Sequence, residues 1–287
     1  MIGEVLFGRY RIDSHSSSSA GVHVWEGFDL HALSAVTIKL GSPDTAPEDA
    51  LLEGEAMVAV RHPGVVRLID FGLHGGTQPC LVMESVSGET LGQRLAMVGR
   101  LSWYDAFELA AEALDALAAL HDEGLVHSNL TPDSLVLQEG GDGPRVKVVG
   151  LGHVSFVSTD NEPVAGEELP QIAPAYKAPE QFIGTDLCPA SDIYALGVVL
   201  WEAISGRCPF VENPGQLSAR IGFRPDFDAL PPGAPSLPAA AQLALEQMLR
   251  LSVLVRESDA RHCARRLRSA LGVGSMHEQS RPLLAVV

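Results

Sequence analysis

The segment "GLVHSNLTPDSLVL" holds the polar side chains of this chain that most resemble a reactive loop. His127 and Asn129 follow a short apolar run, and Asp133 is the only carboxylate among them. A carboxylate or an imidazole can take up a proton near pH 7, whereas the neutral amide of Asn129 cannot act as a general base. Asp133 lies in a turn-like sequence, so we expect a solvated turn residue there and not a metal ligand. The segment therefore has the form of a reactive loop without the groups for acid–base chemistry.

The cysteines and histidines do not indicate a metal centre or a disulfide framework. The ten histidines form no ligand constellation, so no metal site is predicted. The cysteines are far apart and show no Cys-x-x-Cys spacing, which favours reduced thiols in a cytoplasmic protein. They are Cys80, Cys188, Cys208 and Cys263.

The charge balance excludes some partners. With 36 acidic and 20 basic residues among 287, the formal net charge is -16, which repels nucleic acid and anionic membrane surfaces. The longest apolar run, "ALGVVLWEAI", is too short to span a bilayer and contains Glu202. We therefore expect no nucleic-acid partner and no membrane partner.

The apolar patterns divide the chain into a sheet-rich part and a helical part. Up to about residue 83, "HVWEGFDL", "AVTIKL" and "PCLVME" predict strands, and "PEDALLEGEAMVAVR" predicts one helix. The segment "HSSSSAG" is expected to be a turn between strands. Further on, "SWYDAFELAAEALDALAALHDEG" predicts a long helix that Ser102 and Asp105 cap and Gly124 ends. Between the two parts, "ESVSGET" has the composition of a hinge.

The order of these elements and several motifs resembles the protein kinase family, particularly the bacterial Ser/Thr kinases of eukaryotic type. "VTIKL" looks like the family's V-A-I-K strand, "KAPEQF" matches A-P-E, and "SDIYALGVVLWEAISGRCPF" is similar to its αF helix. The resemblance implies an α+β, two-lobed protein kinase-like fold, with a small antiparallel-sheet N-lobe carrying one αC helix and a larger, mainly helical C-lobe. The expected bounds are 8–271 for the domain, about 8–83 for the N-lobe, about 84–89 for the hinge, about 90–271 for the C-lobe and 272–287 for a C-terminal tail.

At the reactive positions that the resemblance implies, the sequence departs from the family. "HSNLTPDS" aligns on the loop H-R-D-L-K-P-x-N, so Asn129 replaces the catalytic aspartate. Ser134 replaces the metal-binding asparagine, and Gly150 in "VKVVGLGHV" replaces the aspartate of D-F-G, so no Mg²⁺ is expected. Ser128 and Thr131 replace the loop's basic residues, and Ala173 replaces an activation-segment threonine. The phosphate-covering glycines are replaced by Ser17, Ser19 and Val22.

The framework positions of the family are retained. The resemblance implies that Asp192 accepts backbone hydrogen bonds from the loop and that His127 packs the loop onto the C-lobe. It also implies an ion pair between Glu180 and Arg256. Buried charges are stable only when they are paired, so these residues are expected to be structural.

The nucleotide-binding positions of the family are partly retained. Lys39 and Glu55 would form the ion pair that fixes the αC helix to the sheet, and a surviving nucleotide contact through Lys39 is the alternative. The other residues expected around a nucleotide are Val24, Glu84, Val86 and Val136.

These observations predict a pseudokinase, a binding, signalling or scaffold module with no or very weak phosphotransfer. The alternative is a weak or unconventional ATP-dependent Ser/Thr protein kinase. A structural subunit with an occluded nucleotide cleft is a second alternative, suggested by Met83 and Thr37. Any ATP or other nucleotide is expected to bind weakly and independently of Mg²⁺, and a protein partner is expected.

Overall fold

The structure is a computed structural model of the chain. It describes residues 1–19, 22–41, 47–138, 145–151, 154–156, 173–184, 187–221, 223–230 and 237–274.

The N-lobe is one antiparallel sheet with a single helix packed against it. Its strands are β1 (Val5–Leu6), β2 (Tyr10–Ser19), β3 (Val22–Asp29), β4 (Ser34–Leu40), β5 (Leu68–His74) and β6 (Gln78–Glu84), in the spatial order β1-β2-β3-β4-β6-β5. Helix α1 (Pro47–Ala59) packs against β5 and β6. The two-lobed fold that the resemblance implied is confirmed for this lobe.

The two faces of this sheet are buried in different ways. Side chains alternate along a strand, so Val36, Ile38 and Leu40 of β4 lie on one face with Val82 of β6. Together with Leu6, Tyr10, Ile12 and Cys80 they form a separate apolar cluster, which we call the outer core. Lys39 therefore faces the opposite side of the sheet, where α1 packs.

The C-lobe is mainly helical. Its helices are α2 (Leu91–Val98), α3 (Trp103–Asp122), α4 (Glu180–Ile183), α5 (Pro189–Ser205), α6 (Leu217–Ile221), α7 (Ala239–Met248) and α8 (Ala260–Gly274). Short antiparallel pairs join β7 (Leu125–Val126) to β10 (Ser155–Phe156) and β8 (Leu135–Leu137) to β9 (Val146–Val148). Two 3₁₀ turns cover Pro132–Ser134 and Phe227–Ala229.

Helices α3 and α5 form the centre of the C-lobe. α5 is buried almost all round, which fits its apolar sequence. A Cβ at Gly197 would lie 3.0 Å from the Cβ of Met248, so the glycine permits the close approach of α7. α3 begins with the predicted cap, in which the Ser102 hydroxyl accepts the N–H of Asp105 at 3.1 Å.

One local prediction is wrong. The segment "HSSSSAG" was expected to be a turn, but β2 continues through Ser19, which pairs with Val22 of β3. The cause is a side-chain network on this hairpin, described below. Ala20 and Gly21 lie outside the described residues. The tail from residue 275 onwards lies outside the described residues. None of the helices in the described ranges combines the length and apolar character needed to cross a bilayer.

Candidate functional site

The loop between β7 and β8 is anchored to α5 by one buried carboxylate. Asp192 is 1% exposed and accepts the backbone N–H of His127 at 2.8 Å and that of Ser128 at 2.9 Å. It also accepts a hydrogen bond from Nε2 of His121, at the end of α3, at 2.9 Å. His127 donates from its own Nε2 to the carbonyl of Val149 at 2.9 Å. One aspartate thus holds the loop against two helices.

The loop bends sharply at Ser128. This residue has a φ of 67°, a left-handed conformation that non-glycine residues rarely adopt. The N–H of Asn129 donates to the carbonyl of His127 at 2.9 Å across the bend, and Gln181 Nε2 donates to the Ser128 carbonyl at 2.9 Å. The surrounding hydrogen bonds hold a strained turn, as is common at functional sites.

A buried ion pair fixes the segment that follows. Arg256 donates to both carboxylate oxygens of Glu180, at 2.7 and 3.0 Å, and the Ser191 hydroxyl donates to Glu180 Oε1 at 2.8 Å. The guanidinium lies 4.8 Å from the centre of the Tyr194 ring. Because both charges are buried and hydrogen-bonded, the pair belongs to the framework of the C-lobe.

The residue at the position of the catalytic base makes a structural contact. Asn129 Oδ1 accepts the backbone N–H of Ala173 at 2.9 Å. An amide oxygen has no proton affinity near pH 7, and this one is already an acceptor for the chain. Asn129 therefore ties the loop to the segment at 173–178.

The two positions expected to bind metal in the family contain a hydroxyl and a glycine. Ser134 Oγ accepts the N–H of Thr131 at 3.2 Å and donates to the carbonyl of Asn129 at 3.3 Å. Gly150 is exposed with a φ of 79°, and a Cβ there would lie 3.7 Å from Ser134 Oγ. The two positions are adjacent, but together they offer one neutral oxygen. Mg²⁺ binds through carboxylates and phosphates, so these residues do not fit the ion.

The nearby carboxylate of Asp133 is also part of the framework. It is exposed, as predicted, and its Oδ1 accepts the Thr90 hydroxyl at 2.7 Å. A Cβ added to Gly92 would lie 2.4 Å from the same oxygen, so α2 packs directly against it. Asp133 thus links the loop to the start of α2.

The Lys39–Glu55 pair does not occur as predicted. Lys39 is 9% exposed on β4, between Val24 of β3 and Leu81 of β6, whereas the Glu55 side chain is exposed on α1. The ion pairs found among the described residues do not include one between the two. Gly54 of α1 faces the sheet, since a Cβ there would lie 2.3 Å from the Phe71 ring. Glu55, the next residue, is rotated by about 100° around the helix axis.

The carboxylate of Glu84 fixes the start of the hinge through contacts with Arg67 and Lys147. Glu84, the last residue of β6, accepts the N–H of Arg67 at 2.9 Å and pairs with Lys147 Nζ of β9 at 2.5 Å through the same Oε1. Its carboxylate is therefore engaged with framework groups. Any contact between Glu84 and a nucleotide would have to use its backbone. Met83, which precedes it, is 7% exposed.

An open groove of about 410 Å³ lies beside the hinge, a volume within the range of small-molecule sites. Gly88 has a φ of 134°, and a Cβ there would lie 2.3 Å from the Leu137 carbonyl. Val136, on β8, is 6% exposed, Val86 is partly buried against the main core, and Val24 is half-buried. The groove is lined by Ser87, Gly88, Glu89, Leu137 and Gln138.

Sequence reasoning missed the contacts that hold the segment at 173–178. Arg220 is fully buried, donates to the carbonyl of Pro174, and lies 4.2 and 4.6 Å from the ring centres of Phe210 and Phe182. Burial lowers the pKa of this guanidinium. A single arginine in a short helix carries no sequence signal for such a role.

A second missed contact lies under the same segment. The Tyr176 hydroxyl donates to Glu202 Oε2 of α5 at 2.7 Å. Burial raises the pKa of both groups above their usual ranges, so the tyrosine stays protonated. In the described part of the chain, no three histidine, cysteine, aspartate or glutamate side chains lie together as metal ligands would.

Comparisons with known proteins agree with this geometry. A sequence model of the protein kinase domain matches residues 29–267. The chain belongs to the protein kinase family.

The relatives are named as kinases. The chain is 32% identical over 246 residues to serine/threonine-protein kinase PknA of Mycobacterium tuberculosis, covering 83% of this chain and 55% of the relative. It is 32% identical over 216 residues to serine/threonine-protein kinase pkn2 of Myxococcus xanthus, covering 72% and 25%. A probable serine/threonine-protein kinase PknB of Lactococcus lactis is 28% identical over 247 residues, covering 84% and 38%. The chain thus spans about half the length of PknA and less of the others. By name, these relatives favour the kinase alternative over the pseudokinase prediction.

Proposed function

We propose that this chain is a pseudokinase, a kinase-fold module that presents surfaces to a protein partner and transfers phosphate very weakly or not at all. The observation that carries the proposal is the hydrogen bond from the Ala173 N–H to Asn129 Oδ1. A neutral amide that already accepts a hydrogen bond is unsuited to take the proton of a substrate hydroxyl, and this supports the proposal. Gly150 and Ser134 supply no carboxylate beside it.

Nucleotide binding is part of the proposal, in a weak form that does not depend on Mg²⁺. Lys39, buried on β4, and the apolar side chains of Val24 and Val136 support contacts to an α-phosphate and a base. A metal ion that bridged the terminal phosphates would find no carboxylate ligand at Ser134 or Gly150.

The partner and the location are proposed on general grounds. The hydrogen bonds of Asp192 to the loop and of Arg256 to Glu180 support a module that must fold in order to bind. The net charge of -16 favours a protein partner over nucleic acid or an anionic membrane. We place the protein in the cytoplasm, where thiols stay reduced.

Calorimetry with ATP tests this proposal, with Mg²⁺ or with a chelator. Wild-type affinity should change by less than about tenfold, equal to about 1.4 kcal/mol, when Mg²⁺ is removed. Lys39→Ala should weaken binding, whereas the matched control Lys177→Ala, on the C-lobe, should not. Gly150→Asp adds a carboxylate at an exposed position, where a Cβ would lie 3.7 Å from Ser134 Oγ, so the ATP affinity of this variant should become dependent on Mg²⁺. Because the φ of 79° strains any side chain there, the melting temperature of the variant is measured first. Tight wild-type binding that a chelator abolishes would overturn the proposal.

The second candidate is a weak Ser/Thr protein kinase, which the names of the relatives favour. Such an enzyme would use Lys39 to hold the nucleotide and would act mainly by positioning the substrates. Phosphate transfer to generic Ser/Thr peptides that is lost in Lys39→Ala and kept in Lys177→Ala would favour it. Absence of transfer together with Mg²⁺-independent nucleotide binding favours the pseudokinase.

A further inference from the structure

Two imidazoles converge on one hydroxyl at the hairpin of β2 and β3. Ser18 Oγ lies 2.7 Å from His15 Nε2 and 2.7 Å from His23 Nδ1. Ser18 faces His23 directly in the strand register, and His15 faces Trp25, whose ring stands edge-on at 4.8 Å between centroids. This network explains why the strand continues through the serine run.

The cluster lies on the outer-core face of the sheet, opposite the face that carries Lys39. Trp25 pairs with Ile38 and packs on the outer core, and His23 pairs with Leu40 of the same face. Lys39 lies on the opposite face of β4. His15 and Ser18 are exposed and His23 is half-buried, so ions in solution can reach the cluster.

Proton counting shows that the network presents ring lone pairs. The Ser18 hydroxyl carries one hydrogen, so it can donate to only one of the two imidazole nitrogens. The other nitrogen must donate its own N–H to the hydroxyl oxygen. Each neutral imidazole can exchange its tautomer, so both His15 Nε2 and His23 Nδ1 can direct a lone pair at the same point. Two nitrogen lone pairs aimed at one point form the core of a transition-metal site.

We propose that His15 Nε2 and His23 Nδ1 bind a divalent first-row transition metal such as Zn²⁺, Ni²⁺ or Cu²⁺. Imidazole suits these ions, whereas Mg²⁺ and Ca²⁺ take oxygen ligands. An ion bound to both nitrogens would lie close to the present position of Ser18 Oγ, so the hydroxyl must rotate aside. Metal–nitrogen bonds of about 2.0–2.1 Å are shorter than the present hydrogen bonds, so each ring must also move inward by less than about 1 Å. The Ser18 hydroxyl or water completes the coordination, and the bound ion joins β2 to β3.

This assignment does not depend on the pseudokinase proposal. It uses neither Lys39 nor the loop at Asn129. The ion would tie together the two strands of the hairpin where the family has its phosphate-covering loop. Metal binding should therefore raise the melting temperature by mass action even in a variant that cannot hold nucleotide.

The test is calorimetric titration of the full chain, free of any histidine tag, with NiCl₂ and with ZnCl₂. His15→Gln and His23→Gln should each weaken binding by at least about tenfold, and the double variant should lose one binding site. His31→Gln, an exposed histidine in the turn between β3 and β4, is the matched control and should bind like the wild type. Ser18→Ala should also retain binding, because the imidazoles are the principal ligands.

A second measurement keeps the result clear if a variant folds poorly. The electron paramagnetic resonance spectrum of the Cu²⁺-loaded wild type should show coupling to two imidazole nitrogens, and Ser18→Ala should keep it. Equal affinity and stoichiometry in the wild type and the folded double variant would overturn the assignment. Absence of Ni²⁺, Zn²⁺ and Cu²⁺ binding to the wild type would do so as well, and would leave the network as a hydrogen-bonded clasp of the hairpin.

Discussion

Replacing Asp192 by alanine should destabilise the protein far more than replacing Asn129. Asp192→Ala leaves the N–H groups of His127 and Ser128 without their acceptor, and both residues are buried, at 0% and 6% exposure. It also removes the partner of the His121 ring. Asn129→Ala removes only the acceptor of the Ala173 N–H, in a half-buried position that water can reach.

The magnitude follows from the number of donors left unpaired. A buried polar group without a partner costs about 1–3 kcal/mol, so two backbone donors give a loss of about 2–6 kcal/mol for Asp192→Ala. Asn129→Ala should cost about 1 kcal/mol or less, because solvent replaces the lost acceptor. Asp192→Asn, which keeps one acceptor oxygen, should lie between the two. Typical total stabilities are about 5–15 kcal/mol, so the larger loss is readily measured.

Urea unfolding followed by tryptophan fluorescence provides the assay. Trp103 on α3 and Trp201 on α5 are both buried in the C-lobe, so their emission reports the lobe that Asp192 stabilises. The free energy of unfolding falls linearly with urea, and the midpoint reports stability when the slope is unchanged. Equal midpoints for Asp192→Ala and Asn129→Ala, at equal slopes, would refute the assigned role of the carboxylate.

Two further outcomes are expected. Arg256→Met should lower the free energy of unfolding by about 3–5 kcal/mol, because it removes the guanidinium that neutralises the buried carboxylate of Glu180; a double variant with Glu180→Leu should recover part of the loss in the same urea assay. Hydrogen bonds from Arg9 hold the pKa of Asp29 well below its usual range, so this group stabilises the fold above its unfolded pKa of about 3.9 and the stabilisation is lost as the pH falls towards the folded value. The difference in melting temperature between the wild type and Asp29→Asn should therefore shrink between pH 6 and pH 3, and a constant difference would contradict the assignment.

Much of the fold could be predicted from the sequence because its patterns are local. Alternating apolar residues mark β4, a short continuous apolar run marks β6, and the cap at Ser102 marks the start of α3. The framework residues could be named from motifs because their roles depend on side-chain identity at fixed positions. The serine-rich strand could not be predicted in this way, since serine favours turns and the strand depends on the cross-strand contact of Ser18 with His15 and His23.

The Lys39–Glu55 pair failed for a geometric reason. The side chains of a strand alternate between only two faces, whereas a helix turns by about 100° per residue, so an uncertain register moves a helical side chain to another face. The role of Arg220 depends on a tertiary contact with Pro174 from a distant part of the chain. Neither feature has a local sequence signal.

The central claim is that the chemistry at Asn129, Ser134 and Gly150 is absent, and a phosphotransfer assay tests it most directly. The purified full chain is incubated with radiolabelled ATP and either Mg²⁺ or Mn²⁺, alone and with generic Ser/Thr substrates, beside Lys39→Ala purified in the same way. The account predicts no incorporation above the level of the Lys39→Ala sample. Incorporation by the wild type that disappears in Lys39→Ala would contradict it and would make this chain an active kinase.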